Sequence, residues 1–181
     1  MVVFTTALSF GLTYMFGYED EASSVPAEDK EAEAIIEEET TGALPASLQD
    51  ETIISPIVGQ AVALSDVNDP VFSSGAMGQG IAIKPTEGVV YAPADAEVTI
   101  AFATGHAYGL KTANGAEILI HVGIDTVSMN GEGFDQKVAQ GDKVKAGEVL
   151  GTFDAAKIAA AGLEDTTMVI VTNTADFASV T

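Results

Sequence analysis

From residue 53 onward the chain is a succession of short apolar runs, each cut off by glycine, proline, asparagine or aspartate. Runs of this length, rich in valine and isoleucine and bounded by turn residues, are typical of strands in an all-β sandwich or barrel. The run VTIAF at residues 98–102 alternates as a strand does when one face is buried. The run ILIHV at residues 118–122 is apolar except for its histidine, which predicts a central strand covered on both faces. The predicted fold class is therefore all-β, with few helices.

Four further runs of the same character predict strands near residues 81–83, 89–92, 149–153 and 168–172. Two segments have helical composition instead. Residues 134–140 are followed by Gly141, while residues 155–161 are preceded by Asp154 as N-cap and followed by Gly162. We expect both segments to form short helices on the surface.

The first 52 residues have a different character and divide into two segments. Residues 1–18 hold no charged side chain, and as a helix they would span roughly 27 Å. We interpret them as the end of a membrane segment; a disordered apolar tail, or a strand packed on the main domain, is the alternative. Residues 19–52 hold twelve acidic side chains against Lys30, which predicts a self-repelling, disordered linker. The folded domain is then expected to cover residues 53–181.

Charge and cysteine content exclude several classes of function. The chain has 27 acidic residues, 7 basic residues that are all lysine, and a formal net charge of -20. Nucleic-acid binding needs a basic surface, so we expect no nucleic-acid partner, and a basic protein partner fits better. The chain has no cysteine, which excludes a disulfide framework, a thiolate zinc site and a cysteine nucleophile. The chemistry has to come from other side chains.

The only two histidines, His106 and His121, are the main candidates for that chemistry. His121 interrupts an aliphatic strand, where an imidazole has a burial cost unless it lies at an exposed end or is hydrogen-bonded. Gly123 indicates that the strand ends nearby, so we expect one ring nitrogen of His121 to bind the backbone and the other to be free. A loop can bring His106 beside it, oriented by the Thr104 hydroxyl. The alternative for each ring is a purely structural histidine.

Two carboxylates and one apolar set are candidates for the surroundings of such a site. Asp125 follows His121 by four residues, and Asp154 follows a predicted strand; a turn residue and a helix cap are their structural alternatives. Because carboxylates attract cationic side chains, we expect both to dock basic side chains of a partner protein. The apolar set, which forms either an exposed docking patch or part of the core, consists of Val71, Phe72, Met77 and Ile81.

Four blocks make the sequence recognisable: GIAIKP at residues 80–85, TGHA at 104–107, IHVGIDTV at 120–127 and NGEGF at 130–134. In this order they closely resemble the enzyme IIA domain of the glucose, sucrose and β-glucoside group of the bacterial phosphoenolpyruvate-dependent sugar phosphotransferase system. The resemblance extends over residues 53–181. It implies an antiparallel β-sandwich of the duplicated hybrid-barrel type, and a phosphotransferase activity through a phosphohistidine.

The resemblance also implies roles for the site residues. His121 matches the histidine that takes phosphate on Nε2 from the phosphocarrier protein HPr and passes it to a cysteine of the enzyme IIB domain. His106 matches an assisting histidine, and Thr104 matches the threonine that supports it. The family's chemistry requires no metal and no organic cofactor.

The same resemblance assigns the flanking residues. Asp125 and Asp154 match acids beside the family's site, and Val71 and Phe72 match its apolar docking surface. Met77 stands where the family has a smaller β-branched residue, which leaves the detail of that surface open.

Residues 1–52 look like the end of the membrane-embedded enzyme IIC domain followed by its tether. The resemblance therefore implies the C-terminal part of a larger permease that also holds an enzyme IIB domain. The folded domain is then cytoplasmic and tethered to the cell membrane. The transported sugar cannot be read from these residues.

Three other functions compete with this interpretation. A regulatory binding module of the same fold would use its phosphorylation state to select partners. Residues 141–150 resemble part of a biotinyl or lipoyl carrier domain, although the modified-lysine hairpin is missing. A lysostaphin-like metallopeptidase needs a His-x-His pair that this chain lacks, which leaves zinc on the two histidines and a carboxylate as a side hypothesis.

Overall fold

The computed structural model of the chain describes residues 50–181. The predicted membrane-segment remnant, and the predicted linker up to residue 49, lie outside the described residues. Glu51 is described, and its Oε2 accepts a hydrogen bond from Thr112 Oγ1 at 2.7 Å. Glu51 is therefore hydrogen-bonded to the folded domain, through the Thr112 side chain.

Ten strands run through this part of the chain. In order they are β1 (Gly59–Ala63), β2 (Gln79–Pro85), β3 (Val89–Tyr91), β4 (Ala96–Ala101), β5 (Ala107–Thr112), β6 (Glu117–His121), β7 (Phe134–Gln136), β8 (Lys143–Val144), β9 (Val149–Phe153) and β10 (Thr167–Val171). Seven of them form one sheet in the spatial order β1-β2-β10-β6-β5-β4-β8, and the others form a smaller sheet in the order β3-β9-β7. Every pairing is antiparallel. The all-β prediction is confirmed.

Two short helices, α1 (Pro70–Ser73) and α2 (Ala155–Ala160), are found among the described residues. Each begins after an aspartate whose carboxylate caps the helix. Asp69 Oδ1 accepts from Val71 N at 2.7 Å, and Asp154 Oδ1 accepts from Ala156 N at 2.9 Å. The caps satisfy backbone N–H groups that have no partner within the first turn of a helix.

The main core cluster lies between the two sheets. Ile118 and Ile120 of β6 contribute to it from the large sheet, and Val90 of β3 and Leu150 of β9 contribute from the small one. Successive side chains of a strand point to opposite faces, so the residues between Ile118 and Ile120, and after Ile120, face away from this core.

A second cluster covers the outer face of the large sheet. Met168 and Ile170 of β10 lie in it together with Phe72 of α1. Val169, between the two β10 residues, belongs to the main core. Strand β10 is thus buried on both faces, which explains its uninterrupted apolar sequence.

The hairpin of β5 and β6 positions both histidines. The chain turns at residues 113–116, where Thr112 N donates to Ala116 O at 2.9 Å. The resulting register pairs Lys111 with Glu117 near the turn and Ala107 with His121 at the opposite end. His106 immediately precedes Ala107, so the hairpin register carries the two histidines to the same end of the sheet.

The predicted helix at residues 134–140 is wrong. Its first three residues form β7, in which Phe134 pairs with Phe153 of β9. Just beyond β7, Lys137 N donates to Leu150 O at 2.9 Å. A segment this short has only a weak preference of its own for helix, so the pairing with β9 and the packing of Phe134 against the main core decide its structure.

The other predicted elements are present, but the structure has strands that the sequence patterns did not predict. The six predicted strands correspond to β2, β3, β4, β6, β9 and β10, and the predicted helix at 155–161 corresponds to α2 with Asp154 as its cap. The sequence predicts a loop around His106; the structure has β5 directly after it. Gly109 breaks the apolar pattern of β5, because Ile100 of the neighbouring strand occupies the space beside it.

We expect truncation of the β6 core to destabilise the domain strongly. Ile120 has no exposed surface, whereas Ile100 on β4 is 46% exposed. Ile120→Ala should therefore lower the free energy of unfolding by about 2–5 kcal/mol, because it removes buried methyl groups and leaves a cavity. Ile100→Ala should cost no more than about 1 kcal/mol. Urea denaturation followed by circular dichroism measures both, and equal losses would contradict the assignment of the core.

Candidate active site

The two imidazoles lie side by side at one end of the large sheet. His121 is the last residue of β6 and pairs with Met168 of β10 on one side and with Ala107 of β5 on the other. Strand alternation turns its ring away from the main core that holds Ile120. The ring centroids of His106 and His121 are 5.1 Å apart, with an angle of 80° between the ring planes. Two residues that are 15 positions apart in the sequence thus form one site.

A single hydrogen bond determines which nitrogen of His121 is available. His121 Nδ1 lies 2.9 Å from the backbone oxygen of Gly123. A carbonyl oxygen can only accept, so Nδ1 carries the hydrogen and donates it. In the neutral ring the lone pair is then on Nε2. The turn after β6 therefore selects the tautomer that is nucleophilic at Nε2.

His106 is held by its own loop and by the neighbouring chain. Its Nδ1 lies 2.6 Å from Thr104 Oγ1, and its backbone oxygen accepts from Val122 N at 2.8 Å. Its side chain is buried, with 4% of the residue surface exposed. The position and the orientation of the ring are thus fixed by separate hydrogen bonds.

Both rings are neutral at pH 7. Burial, together with the nearby charge of His121, lowers the pKa of His106 to about 4. Burial also lowers the pKa of His121, against the opposing effects of the bond to Gly123 and of the carboxylates of Asp69 and Asp125. For His121 desolvation outweighs the opposing charges, whereas for His106 desolvation and the neighbouring charge act in the same direction.

Aromatic side chains flank the histidines on both sides. The Phe72 ring centroid is 5.1 Å from that of His121, and the Phe102 centroid is 5.2 Å from that of His106. Beside the rings lies an open depression of about 370 Å³ between β4 and β6, lined among others by Met77 and Leu119. The site thus opens onto an apolar surface.

The acidic residues near the site have unequal positions. Asp125 is exposed, has a left-handed backbone with φ of 58°, and acts electrostatically on His121. Asp154 is exposed as well, but its carboxylate caps α2 by accepting from Ala156 N and Lys157 N. The structure gives Asp125 a direct influence on His121, and it gives Asp154 a structural role.

The predicted apolar docking set is split between surface and core. Val71 is 56% exposed and Met77 is 36% exposed, while Phe72 is only 7% exposed and lies against His121. Ile81 of β2 is also exposed. The set thus provides both exposed apolar surface and one buried wall of the site.

Asp69 and Phe102 also belong to the site, and the sequence reasoning did not single them out. Asp69 precedes Pro70 at the start of α1, which is a recognisable N-cap signal, although nothing in that signal places α1 beside β6. Phe102 ends the alternating run that was read as a strand. Only the tertiary structure shows that its ring lies against that of His106, in a tilted arrangement.

Two features are absent from the part of the chain that the structure describes. Within residues 50–181 no group of three or more histidine, cysteine, aspartate or glutamate side chains is placed to hold a metal ion. Across this range no helix has the length and apolar character to cross a bilayer.

The fold and the site define an all-β domain with a nucleophilic imidazole at the edge of an apolar surface. A neutral histidine with a free Nε2, next to a second neutral imidazole, is suited to taking up a transferable group from another protein. The family model described as the phosphoenolpyruvate-dependent sugar phosphotransferase system, EIIA 1, matches residues 51–177. The chain belongs to this family, and its predicted role as a phosphoryl carrier in sugar uptake is confirmed at that level.

Relatives and a solved structure agree with this membership. The chain is 42% identical over 182 residues to the β-glucoside-specific EIIBCA component of Dickeya chrysanthemi, covering 98% of this chain but 28% of that protein. It is 47% identical over 131 residues to the glucose-specific EIIA component of Bacillus cereus, covering 72% of this chain and 79% of that protein. The glucose permease IIA of Mycoplasma capricolum superposes with a TM-score of 0.66 at 37% identity, over 67% of this chain and 79% of that one.

The lowered pKa of His106 should make the stability of the domain depend on pH. Between about pH 4 and pH 6.5 the unfolded chain binds a proton at this position that the folded chain does not bind. The free energy of unfolding should therefore rise with pH across this window, and His106 should account for on the order of 3 kcal/mol of the rise. Urea denaturation at several pH values should give a flatter profile for His106→Gln than for the wild type. Parallel profiles would contradict the shift.

Proposed function

We propose that His121 is the residue that becomes phosphorylated, with HPr as donor and a cysteine of an enzyme IIB domain as acceptor. The observation that supports this most directly is the bond from His121 Nδ1 to Gly123 O, which leaves the Nε2 lone pair for attack. The P–N bond forms at Nε2 while the bond from phosphorus to the donor side chain breaks. In the second step this P–N bond breaks as a bond to the acceptor sulfur forms. No proton has to be removed from His121 Nε2 in either step.

His106 and Thr104 assist the transfer in this proposal. When the Thr104 hydroxyl donates to His106 Nδ1, the neutral ring carries its hydrogen on Nε2. That N–H can then donate to a phosphoryl oxygen held on His121, whose ring is 5.1 Å away between centroids. Phosphoryl transfer spreads negative charge over the oxygens, and oriented donors stabilise it. A buried, fixed donor needs no reorganisation during the reaction.

Partner docking is proposed to use the surface around the two rings. Val71 and Met77 provide exposed apolar contacts, and Phe72 supports His121 from behind. Asp125 and Asp154 are proposed to bind basic side chains of the incoming protein. The chain carries no arginine, so any guanidinium at the transfer site has to come from the partner.

The arrangement of the full protein is proposed from the relatives. The chain spans less than a third of the length of the first permease relative, and the similarity to that EIIBCA component covers 98% of this chain. We therefore propose residues 1–18 as the end of an enzyme IIC segment, residues 19–52 as a linker, and residues 53–181 as the EIIA domain. The parent would then be a permease with EIIB and EIIC parts, and this domain would face the cytoplasm.

Phosphorylation of variants tests the assignment of His121. With phosphoenolpyruvate, enzyme I and HPr, the wild type should gain an acid-labile phosphate that intact mass measurement detects. His121→Ala should gain none, because the nucleophile is absent. His106→Gln should still gain the phosphate, but should pass it to an enzyme IIB domain about 10²- to 10³-fold more slowly. Phosphate retained on His121→Ala would overturn the assignment.

Substitution of an exposed valine tests the docking surface. Val71→Ser removes an apolar side chain beside the site and should raise the KM for phosphorylated HPr about tenfold, with little change in kcat. Val149→Ser is the matched control, since Val149 is also exposed but lies on β9 of the small sheet. Steady-state phosphorylation rates measure both. Equal effects of the two substitutions would remove Val71 from the proposed interface.

A further inference from the structure

The loop that carries Thr104 and His106 rests on another turn of the chain, at residues 130–134. Gly105 has φ of +68°, and a Cβ added there would lie 3.1 Å from the Phe134 Cβ. A Cβ added at Gly131 would lie 3.4 Å from the Cα of Thr104. The two segments therefore touch at the level of their backbones. At Gly105 the absence of a side chain makes this close approach possible, whereas at Gly131 it is the positive φ of +88° that favours glycine.

The supporting turn is itself held from behind. Phe134 N donates to Gly131 O at 3.1 Å, and Phe134 pairs with Phe153 in the small sheet. Asp154 N, at the start of α2, donates to Gly133 O at 2.8 Å. The Phe134 side chain also packs against the main core. These contacts hold the turn at residues 130–134 in place. If an added atom pushes Gly105 and Phe134 apart, the loop that carries His106 therefore has to move.

A displacement of that loop would act on the ring of His106. Gly105 N donates to Phe102 O at 2.7 Å in a tight turn, and Gly105 lies between Thr104 and His106 in the chain. The backbone oxygen of His106 is already fixed by Val122 N. The bond of 2.6 Å between Thr104 Oγ1 and His106 Nδ1 is therefore the contact most sensitive to the position of Gly105.

We propose that Gly105, Gly131 and Phe134 are positioning residues of the transfer site. In this inference, which rests on the proposed function of His121, the turn at residues 130–134 places the Thr104 hydroxyl against His106 Nδ1. The turn thereby sets the His106 ring for donation to the phosphoryl group. The NGEGF block at residues 130–134 thus acts on transfer without contacting the group that is transferred.

Gly105→Ala is the direct test. An added methyl group at 3.1 Å from Phe134 Cβ is closer than the usual 3.5–4.0 Å between carbon atoms, so the loop has to shift. Delivery of phosphate to an enzyme IIB domain should fall about tenfold relative to uptake from phosphorylated HPr, since about 1.4 kcal/mol of transition-state stabilisation is tenfold in rate. In NMR titration, the pKa of His106 should move up from about 4 toward its ordinary value of about 6.5 as the ring becomes less enclosed.

Gly147→Ala is the matched control for backbone strain. Gly147 lies in the connection between β8 and β9, has φ of +82°, and has no atom within 4 Å of an added Cβ. Both variants place alanine in a left-handed conformation, so both should lose thermal stability through backbone strain, and the contact with Phe134 should add to that loss only in Gly105→Ala. Gly147→Ala should leave the ratio of delivery to uptake and the His106 titration as in the wild type.

The outcomes separate this inference from the proposed function. If the wild type takes up no phosphate at His121, the proposed function fails, while the His106 titrations of the two variants still decide whether the turn positions the ring. If the wild type is phosphorylated and Gly105→Ala matches Gly147→Ala in both readouts, the positioning role is overturned. Should Gly105→Ala fail to fold, Gly131→Ala is the milder variant, with its methyl group 3.4 Å from Thr104 Cα. An unchanged His106 titration in Gly131→Ala would then overturn it.

Discussion

The register of the β5–β6 hairpin is the constraint on which the site depends. It pairs Ala107 with His121 and so brings His106, one residue earlier, beside the second imidazole. A slip of one residue would turn the His121 ring from the outer face of the sheet into the main core. The short turn at residues 113–116 and the burial of Ile118 and Ile120 on the inner face both oppose such a slip. The same packing that stabilises the sheet therefore keeps the His121 ring on its outer face.

Burial is the main influence on the pKa of both histidines. Desolvation lowers the pKa of both imidazoles and keeps them neutral, although two carboxylates near His121 favour its charged form. A protonated His121 would have no lone pair for attack, so the apolar surroundings preserve its nucleophilicity. The carboxylates of Asp69 and Asp125 remain at the edge, where they meet solvent or a basic partner. The apolar surroundings thus lower the pKa of His121, while the acidic side chains raise it.

Much of the site was accessible to sequence reasoning because its parts are local. The bond from His121 Nδ1 to the backbone of Gly123, and the bond from Thr104 to His106, each join residues two positions apart. The cap of α2 by Asp154 is equally local. Contacts across larger separations were not accessible in this way. The contact of the Phe72 ring with His121 and the support of Gly105 by Phe134 join residues that no periodicity relates.

The amino-acid sequence by itself determined the all-β class, most of the strands, the two histidines as the candidate pair that the structure brings together, and the family that the comparisons show. It did so because turn residues, strand alternation and short motifs are encoded within a few consecutive positions. Only the tertiary structure decided that residues 134–136 form β7 rather than a helix, that Asp69 and Phe102 join the site, and that Phe72 is a buried wall. Each of these depends on the free energy of pairing or packing against a distant segment, which local sequence does not contain.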